Sequence, residues 1–581
     1  MDLCPPVAIL LRQIPTYTRV RKTATTSLRP FPERLLVTEY VPPDGSFSAT
    51  HSVRIGISSD PKRPDSHLVV INTTTTAVRP LDLDPQALND YALWYFAEGV
   101  IWWSADYRYL FLITETRGAS RAALTSIDLD NGRTREILNE TATFNVRLNP
   151  YDYDVPNVFV SSKGDEAIWY SERSGYGHLY LYDVSTGKVK RQLTSGDWVV
   201  FDLLNVDEKR RVAYFTAGPR SGGRNPYYRY LYRVGLDRGD IKQLTPEPAD
   251  HRFEHSLWYP AHGSSMSPSG KYFVDSISST DQPARVVLRK ASGELVGEVT
   301  RTDASALFAS GWRAPDRVSV KAADGVTDLY GVVYKPHDFD PTKKYPVIDY
   351  MYPGPQGAFV PIAFRQVFTG GLGTTPNAQA FADAGFIVVV VDGRGTAYRS
   401  RSFRDAFLGT EDVFGAADHV AAIKGLGAQR SYMDLDRVGV MGHSFGGFGS
   451  LRAMLLFPNF FKVGVSSVGP GQWLDFHQED SIERFFGVPG ASPEARAHYD
   501  LVSNTRLVSR LKGRVLLIFG GIDENVPLKY AFQVIDALIR ADRDFDMLIA
   551  PDSPHSVGRE PYPVKRSLEY FIDHLAAPTE P

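Results

Sequence analysis

Between Arg437 and Pro458 the chain reads RVGVMGHSFGGFGSLRAMLLFP, and few stretches restrict a fold so tightly. An apolar strand-like run (Val438, Val440, Met441) meets Gly442-His443-Ser444-Phe445-Gly446, and a helical pattern (Leu451, Met454, Leu455, Leu456) follows at once. A turn this sharp would drive flanking side chains into the backbone. Glycine two residues before and two after Ser444 removes that collision and leaves the serine at a strained tip above a sheet. Gly447 and Gly449 let the following helix pack close. Its N-terminus aims free N–H groups and a partial positive charge at the place where an oxyanion would form. The plainer reading is a buried glycine-rich turn with an incidental serine. Partners downstream decide between the two.

Such partners are present. Arg514-Val515-Leu516-Leu517-Ile518-Phe519 reads as a strand, and the polar loop Gly520-Gly521-Ile522-Asp523-Glu524-Asn525-Val526-Pro527 leaves it. Ligand chemistry in open α/β sheets collects at such strand ends. Phe545 to Ile549 reads as the next strand, and His555 sits in a Pro-containing turn before a helix expected over Pro563 to Leu575. Serine, acid and histidine thus follow the chain order of α/β-hydrolases. Ser444 is a poor nucleophile until His555 takes its proton, and Asp523 fixes the imidazole tautomer and stabilises the imidazolium. Glu524 is the competing carboxylate. Asp523 is preferred as the one nearer the strand end.

The remainder of the chain divides into two textures. From about Arg34 to Glu298 it runs in short strands and turns with little helical periodicity. A polar turn, an aromatic strand, a second strand and a hairpin recur from Trp103, Ser162, Asn205 and Ser267, with an earlier partial copy at His67 to Leu81. Asn131-Gly132 and Thr186-Gly187 read as hairpin turns. Copies spaced at roughly 40 to 60 residues predict a β-propeller with one four-stranded blade each, a β-sandwich being the runner-up. Four blades are clear and one or two partial, so a small or open propeller, or one missing its first blades, is expected. Near Gly311-Trp312-Arg313 strands and helices begin to alternate: Ser319 to Lys321, Leu329 to Lys335, Tyr345 to Tyr352, Phe386 to Val391, and a helix over Val413 to Leu426. That alternation predicts a mostly parallel, doubly wound sheet. The expected organisation is an N-terminal extension (1–30), an all-β propeller (31–310), an α/β-hydrolase domain (311–577) and a tail (578–581).

Length and composition narrow the classes. At 581 residues two large domains are the default. A formal net charge of −3 gives no electrostatic case for nucleic acid or an anionic membrane. With Cys4 as its single cysteine the chain has no disulfide framework and no multi-cysteine metal site. No HExxH pairing or phosphate loop appears, and the glycine-rich Gly370 to Gly373 reads as a loop, so neither metal nor cofactor is expected. No segment approaches the ~18 apolar residues of a membrane span. The apolar run Val7 to Leu11 is too short for a signal peptide. The cytoplasm is therefore the expected compartment, with export the alternative for a truncated N-terminus.

On these residues the chain resembles the prolyl oligopeptidase family of serine peptidases, most closely its dipeptidyl-peptidase-IV-like branch. The most specific pieces are Ile101-Trp102-Trp103-Ser104, Ser171-Glu172-Arg173, His178-Leu179-Tyr180, Gly196-Asp197-Trp198, Tyr352-Pro353-Gly354-Pro355, Asp392-Gly393-Arg394-Gly395, the elbow and Asp523-Glu524-Asn525-Val526. The resemblance implies a propeller capping a hydrolase domain, with the site in the cavity between them. It implies a triad of Ser444, Asp523 and His555, and an oxyanion held by the Tyr352 hydroxyl and the Phe445 N–H. A phenol closing the expected third strand of that sheet is a good donor there, though an aromatic plug at a strand end is the plainer role for Tyr352. The resemblance further implies that Asn525 binds a substrate carbonyl. Trp473, Phe476 and Phe485 fall in the segment that lines the pocket for the residue before the cut, with ordinary core packing as the equal alternative.

Three departures bear on specificity. The branch clamps a substrate amine with adjacent glutamates, whereas Asn89 to Gly99 holds only the separated Asp90 and Glu98. The pocket segment carries Phe476, His477 and Ser481 in place of a pair of tyrosines. The elbow carries His443 and Phe445 where Trp or Gly and Tyr are commoner, a change of little expected catalytic consequence. The expected activity is hydrolysis of short peptides through an acyl-enzyme, as a dipeptidyl peptidase or an oligopeptidase. A hydrolase of a non-standard amide, isopeptide or ester is the first alternative, and an inert interaction module the second. The expected partner is a peptide substrate, and a homodimer is compatible with this reading.

Overall fold

The computed structural model describes residues 101–576, except 152–153, 221–224, 254–264, 268, 371–376 and 477–478. Before residue 101 it describes segments 7–12, 35–40, 49–54, 67–72, 78–84 and residue 87. Asp90, Glu98, residues 371–373 of the glycine-rich loop and His477 lie outside the described residues.

Four antiparallel four-stranded sheets follow one another in the N-terminal half. The first holds Ile101–Trp103, Tyr109–Glu115, Arg121–Asp128 and Thr134–Thr141. The second runs from Phe159–Val160 to Lys188–Gln192, the third from Val200–Asp207 to Ile241–Gln243, and the fourth from Asp250–Arg252 to Leu295–Arg301. These are the four copies visible in the sequence. The partial copy forms a smaller sheet, with His67–Asn72 between Val7–Arg12 and Val78–Pro80. Strand alternation explains the stacking. In the second sheet Ala167 and Trp169 join a cluster with Phe111, Ile113 and Leu124 of the first, while Ile168 and Tyr170 face Phe215, Tyr230 and Tyr232 of the third. Gly187 takes φ 67° in the hairpin, where a Cβ would lie 2.2 Å from the Ile137 carbonyl oxygen.

The C-terminal half is one eight-stranded sheet: β1 (Asp316–Lys321), β2 (Asp328–Tyr334), β3 (Tyr345–Tyr350), β4 (Ile387–Asp392), β5 (Met433–His443), β6 (Phe461–Ser467), β7 (Arg514–Gly520) and β8 (Asp546–Ala550). The spatial order is β1-β2-β4-β3-β5-β6-β7-β8; β1 and β2 pair antiparallel and β3 to β8 run parallel. Its central strands are covered on both faces, which is why β4 can be the unbroken apolar run IVVVV. Ile387, Val389 and Val391 enter one core and Val388 and Val390 the other. Helices α1 (Ala416–Gln429), α2 (Phe445–Leu456) and α4 (Leu528–Arg540) cover the first face, and α5 (Pro561–Leu575) the second. Helix α3 (Glu479–Phe486) lies toward the propeller.

Several boundaries differ from the sequence reading by one to three residues, and the start of α1 shows a physical reason. Helix α1 starts at Ala416 and not at Val413, because Gly415 adopts φ 70° and breaks the turn before it. The half-buried carboxylate of Asp412 then accepts hydrogen bonds from Ala416 N (2.7 Å) and Ala417 N (2.8 Å). Val413 and Phe414 are buried as loop residues, which gave them the look of a helical stripe.

Across the halves, Arg404 pairs with Glu172, and both side chains are nearly inaccessible. Arg147 Nη1 donates to the Pro355 carbonyl at 2.8 Å and Arg401 N to the Gly175 carbonyl at 2.8 Å. No helix among the described residues is long and apolar enough to cross a membrane.

Candidate active site

The strand–turn–helix read from the sequence is β5–Ser444–α2. Ser444 holds φ 59° and ψ −119°, a region that L-residues adopt only under constraint. A Cβ on Gly442 would lie 2.3 Å from the Gly446 carbonyl oxygen, and one on Gly447 would lie 2.2 Å from that of Ser467. Ser444 N donates to the Ser467 carbonyl at 2.8 Å, which ties the tip to β6.

Asp523 leaves the end of β7 and is buried. Its Oδ1 accepts from Asn525 N (2.8 Å) and Val526 N (2.7 Å), so the loop's own backbone fixes the carboxylate plane. His555 opens the turn after β8 and lies with Nδ1 2.9 Å from Asp523 Oδ2 and Nε2 3.0 Å from Ser444 Oγ. A proton on Nδ1 donated to the carboxylate leaves Nε2 as an acceptor for the serine hydroxyl. Glu524, beside Asp523, is exposed. Three residues spread over more than a hundred positions therefore meet at one edge of the sheet.

Tyr352 lies two residues beyond the end of β3. Burial raises its phenol above the usual value, while hydrogen bonding to Ser444 and the charge of Arg559 act the other way, so the hydroxyl keeps its proton. Its ring packs on Phe359 at 4.4 Å between centroids. Phe359 N and Val360 N in turn donate to the buried Asp392, whose carboxyl burial pushes up to about 6. Phe445 N–H is the first of α2 and has no acceptor within its own helix.

Trp473, Phe476 and Phe485 come together as one buried aromatic group against Phe445. Ring centroids lie 4.9 Å apart for Phe445–Trp473, 5.1 Å for Trp473–Phe476 and 6.1 Å for Phe445–Phe485. Asn525 is half-buried beside Asp523.

Several neighbours that shape the site carried little signal in the sequence. His443 is buried, its Nδ1 3.2 Å from Ser467 Oγ and its ring 5.2 Å from that of His555. Burial, and then the charges of His555 and Arg559, hold it well below the usual imidazole value. Its place as the last residue of β5 was the available clue, because a strand end under the elbow has no route to solvent. Phe359 and Arg147 reach the Tyr352 loop only through tertiary packing.

Among the described residues one set of donors is close enough for a metal: Glu247, His251 and Asp275. It lies in the fourth propeller sheet and already contains Arg289, which donates to Asp275 at 2.9 Å and to Glu247 at 2.5 Å. With that guanidinium supplying positive charge to the carboxylates, the group reads as an ion network.

Residues 373–577 match the model of the prolyl oligopeptidase family, and residues 59–284 that of the dipeptidyl peptidase IV N-terminal region. Dipeptidyl peptidase 8 of Homo sapiens is 29% identical over 459 residues, covering 73% of this chain and 48% of the relative. Probable dipeptidyl-aminopeptidase B of Aspergillus niger is 29% identical over 392 residues, covering 66% of this chain and 40% of the relative. The chain thus spans about half the length of the curated relatives it matches. In fold it is similar to dipeptidyl peptidase 4 of Porphyromonas gingivalis, with a TM-score of 0.78 at 22% identity over 93% of this chain and 71% of the other. With one model matched on each half, the chain is similar to the prolyl oligopeptidase family, and within it to the dipeptidyl-peptidase-IV-like branch.

Proposed function

We propose that the chain is a serine peptidase that cleaves short peptides through an acyl-enzyme intermediate. The observation that carries the reading is the position of His555, within hydrogen-bond reach of Ser444 Oγ on one side and Asp523 on the other. Ser444 Oγ attacks the scissile carbonyl carbon as its proton passes to His555 Nε2. The developing oxyanion accepts hydrogen bonds from the Tyr352 hydroxyl and the Phe445 N–H. Collapse expels the amine, which takes the proton from His555, and a water molecule repeats the cycle on the ester. Asp523 stabilises the imidazolium throughout. Phe445, Trp473, Phe476 and Phe485 form the apolar wall for the residue before the cut, and Asn525 donates to a substrate carbonyl.

The finer form of the proposal is removal of dipeptides from N-termini, supported by the likeness to dipeptidyl peptidase 8 and dipeptidyl-aminopeptidase B. A second reading, a hydrolase of a non-standard amide, isopeptide or ester, is favoured by the lack of adjacent glutamates in 89–99. A charged α-ammonium without them loses its charge-assisted anchor. A fluorophosphonate probe is expected to label wild type and not Ser444→Ala; equal labelling of both would remove the enzyme reading. A panel of Xaa-Pro, aminoacyl and ester reporters separates the two forms. Turnover of the Xaa-Pro reporter alone eliminates the second.

A further inference from the structure

Helix α3 is buried on two sides. Toward the hydrolase core it presents Ile482, Phe485 and Phe486, none more than 2% exposed. Phe485 lies 6.1 Å from Phe445 and Phe486 lies 6.0 Å from Trp473, ring centre to ring centre. Toward the propeller it presents Glu483 and Arg484. Arg117 Nε donates to Glu483 Oε2 at 2.8 Å and its Nη2 to Glu483 Oε1 at 2.5 Å, a two-pronged pair. Arg484 Nη2 donates to Glu115 Oε2. The acid of each partner thus meets the base of the other, with the Glu483 side chain fully buried and that of Glu115 5% exposed.

The propeller side is shaped for the helix. Glu115 ends the strand Tyr109–Glu115, and Arg117–Ala119 form a single tight turn after it. Gly118 takes φ 72°, and a Cβ there would lie 3.2 Å from Val488 Cγ2 and 3.4 Å from the Glu483 carbonyl oxygen. Buried ion pairs add little stability over an apolar contact of the same shape. What crossed pairs supply is register. Turning α3 by one residue, about 100°, would set Arg484 against Arg117 in one sense or Glu483 against Glu115 in the other, a like-charge pair in a dry interface either way. The same rotation would carry Phe485 and Phe486 away from Phe445 and Trp473.

We propose that Glu115 and Arg117, in the first propeller sheet, are positioning residues of the active site. Their crossed ion pairs set the rotation of α3 and, through Phe485 and Phe486, the placement of Phe445 and Trp473 beside Ser444. The propeller is then a working part of the site and not only its cover. The catalytic half of this statement rests on the peptidase reading; the structural half does not.

The test compares the full-length wild type, Arg117→Ala and the charge-exchanged pair Arg117→Glu with Glu483→Arg. Amide hydrogen exchange is followed by mass spectrometry over residues 445–448, 473–476 and 479–486, together with the second-order rate of Ser444 labelling by a fluorophosphonate. Arg117→Ala is expected to speed exchange in all three windows while the second to fourth propeller sheets stay unchanged. Labelling is expected to fall on the order of 10- to 100-fold, with a loss in kcat rather than a rise in KM, and the exchanged pair restores most of both. Faster exchange confined to 479–486 with labelling unchanged overturns the proposal, as does an exchanged pair no better than Arg117→Ala. If wild type itself is not labelled at Ser444, the peptidase reading fails, and the windows 445–448 and 473–476 alone decide the positioning claim. Should Arg117→Ala not fold, Arg117→Lys, which keeps the charge but loses the fork, is read in the same windows with a smaller change.

Discussion

Asp523 and Glu524 are neighbours with opposite surroundings, and the contrast yields a clean prediction. Asp523 is buried and aimed at His555, whereas Glu524 is exposed. Asp523→Asn is expected to lower kcat on the order of 10⁴-fold by favouring the wrong imidazole tautomer, and Glu524→Gln to leave it within a factor of about two, in steady-state assays with the best reporter of the panel. His443 offers a second test, read in stability. Held neutral in the fold, it takes a proton only on unfolding once the pH drops below about 6.5. The unfolded state then binds more protons, so this residue makes the unfolding free energy fall as pH is lowered from there. His443→Gln is expected to flatten that fall, measured by urea denaturation at a series of pH values.

At the scale of the element, the elbow depends on glycine where backbone meets backbone. A Cβ on Gly447 would press on the Ser467 carbonyl oxygen, which β6 holds in place. Gly447→Ala is therefore expected to cost about 1–3 kcal/mol in chemical denaturation, and to slow Ser444 labelling as well. This element was legible because its signal is local: strand, turn and helix each read within a few residues of Ser444. The propeller sheets were legible for another reason, since a pattern repeated four times stands above its own noise. Helix α1 was misread at its start because Val413 and Phe414 are as apolar as a helix stripe, and only the left-handed Gly415 tells them apart. Of the aromatic group around Phe445, the sequence points to Trp473, Phe476 and Phe485 only through the resemblance, with core packing as an equal alternative. The group's close packing into one cluster was not readable, because contact order along the chain says nothing about which faces meet.

At the scale of the whole molecule, the links between the halves join residues too far apart in sequence for any local pattern to report. Arg117 and Glu483 are 366 positions apart, and Glu172 and Arg404 are 232 apart. Arg404→Ala strands the buried Glu172 without its partner and is expected to cost about 3 kcal/mol, seen as a lower urea midpoint. Replacing both by Met is expected to recover much of that loss, because the desolvation cost disappears with the charges. The alternating strands of the propeller have a consequence of their own. No inner sheet owns a private interior: Trp169 leans on the sheet before it and Tyr170 on the sheet after. The N-terminal half is held together like a row of books, each upright because of its neighbours, and loosening should travel inward from the two outermost volumes.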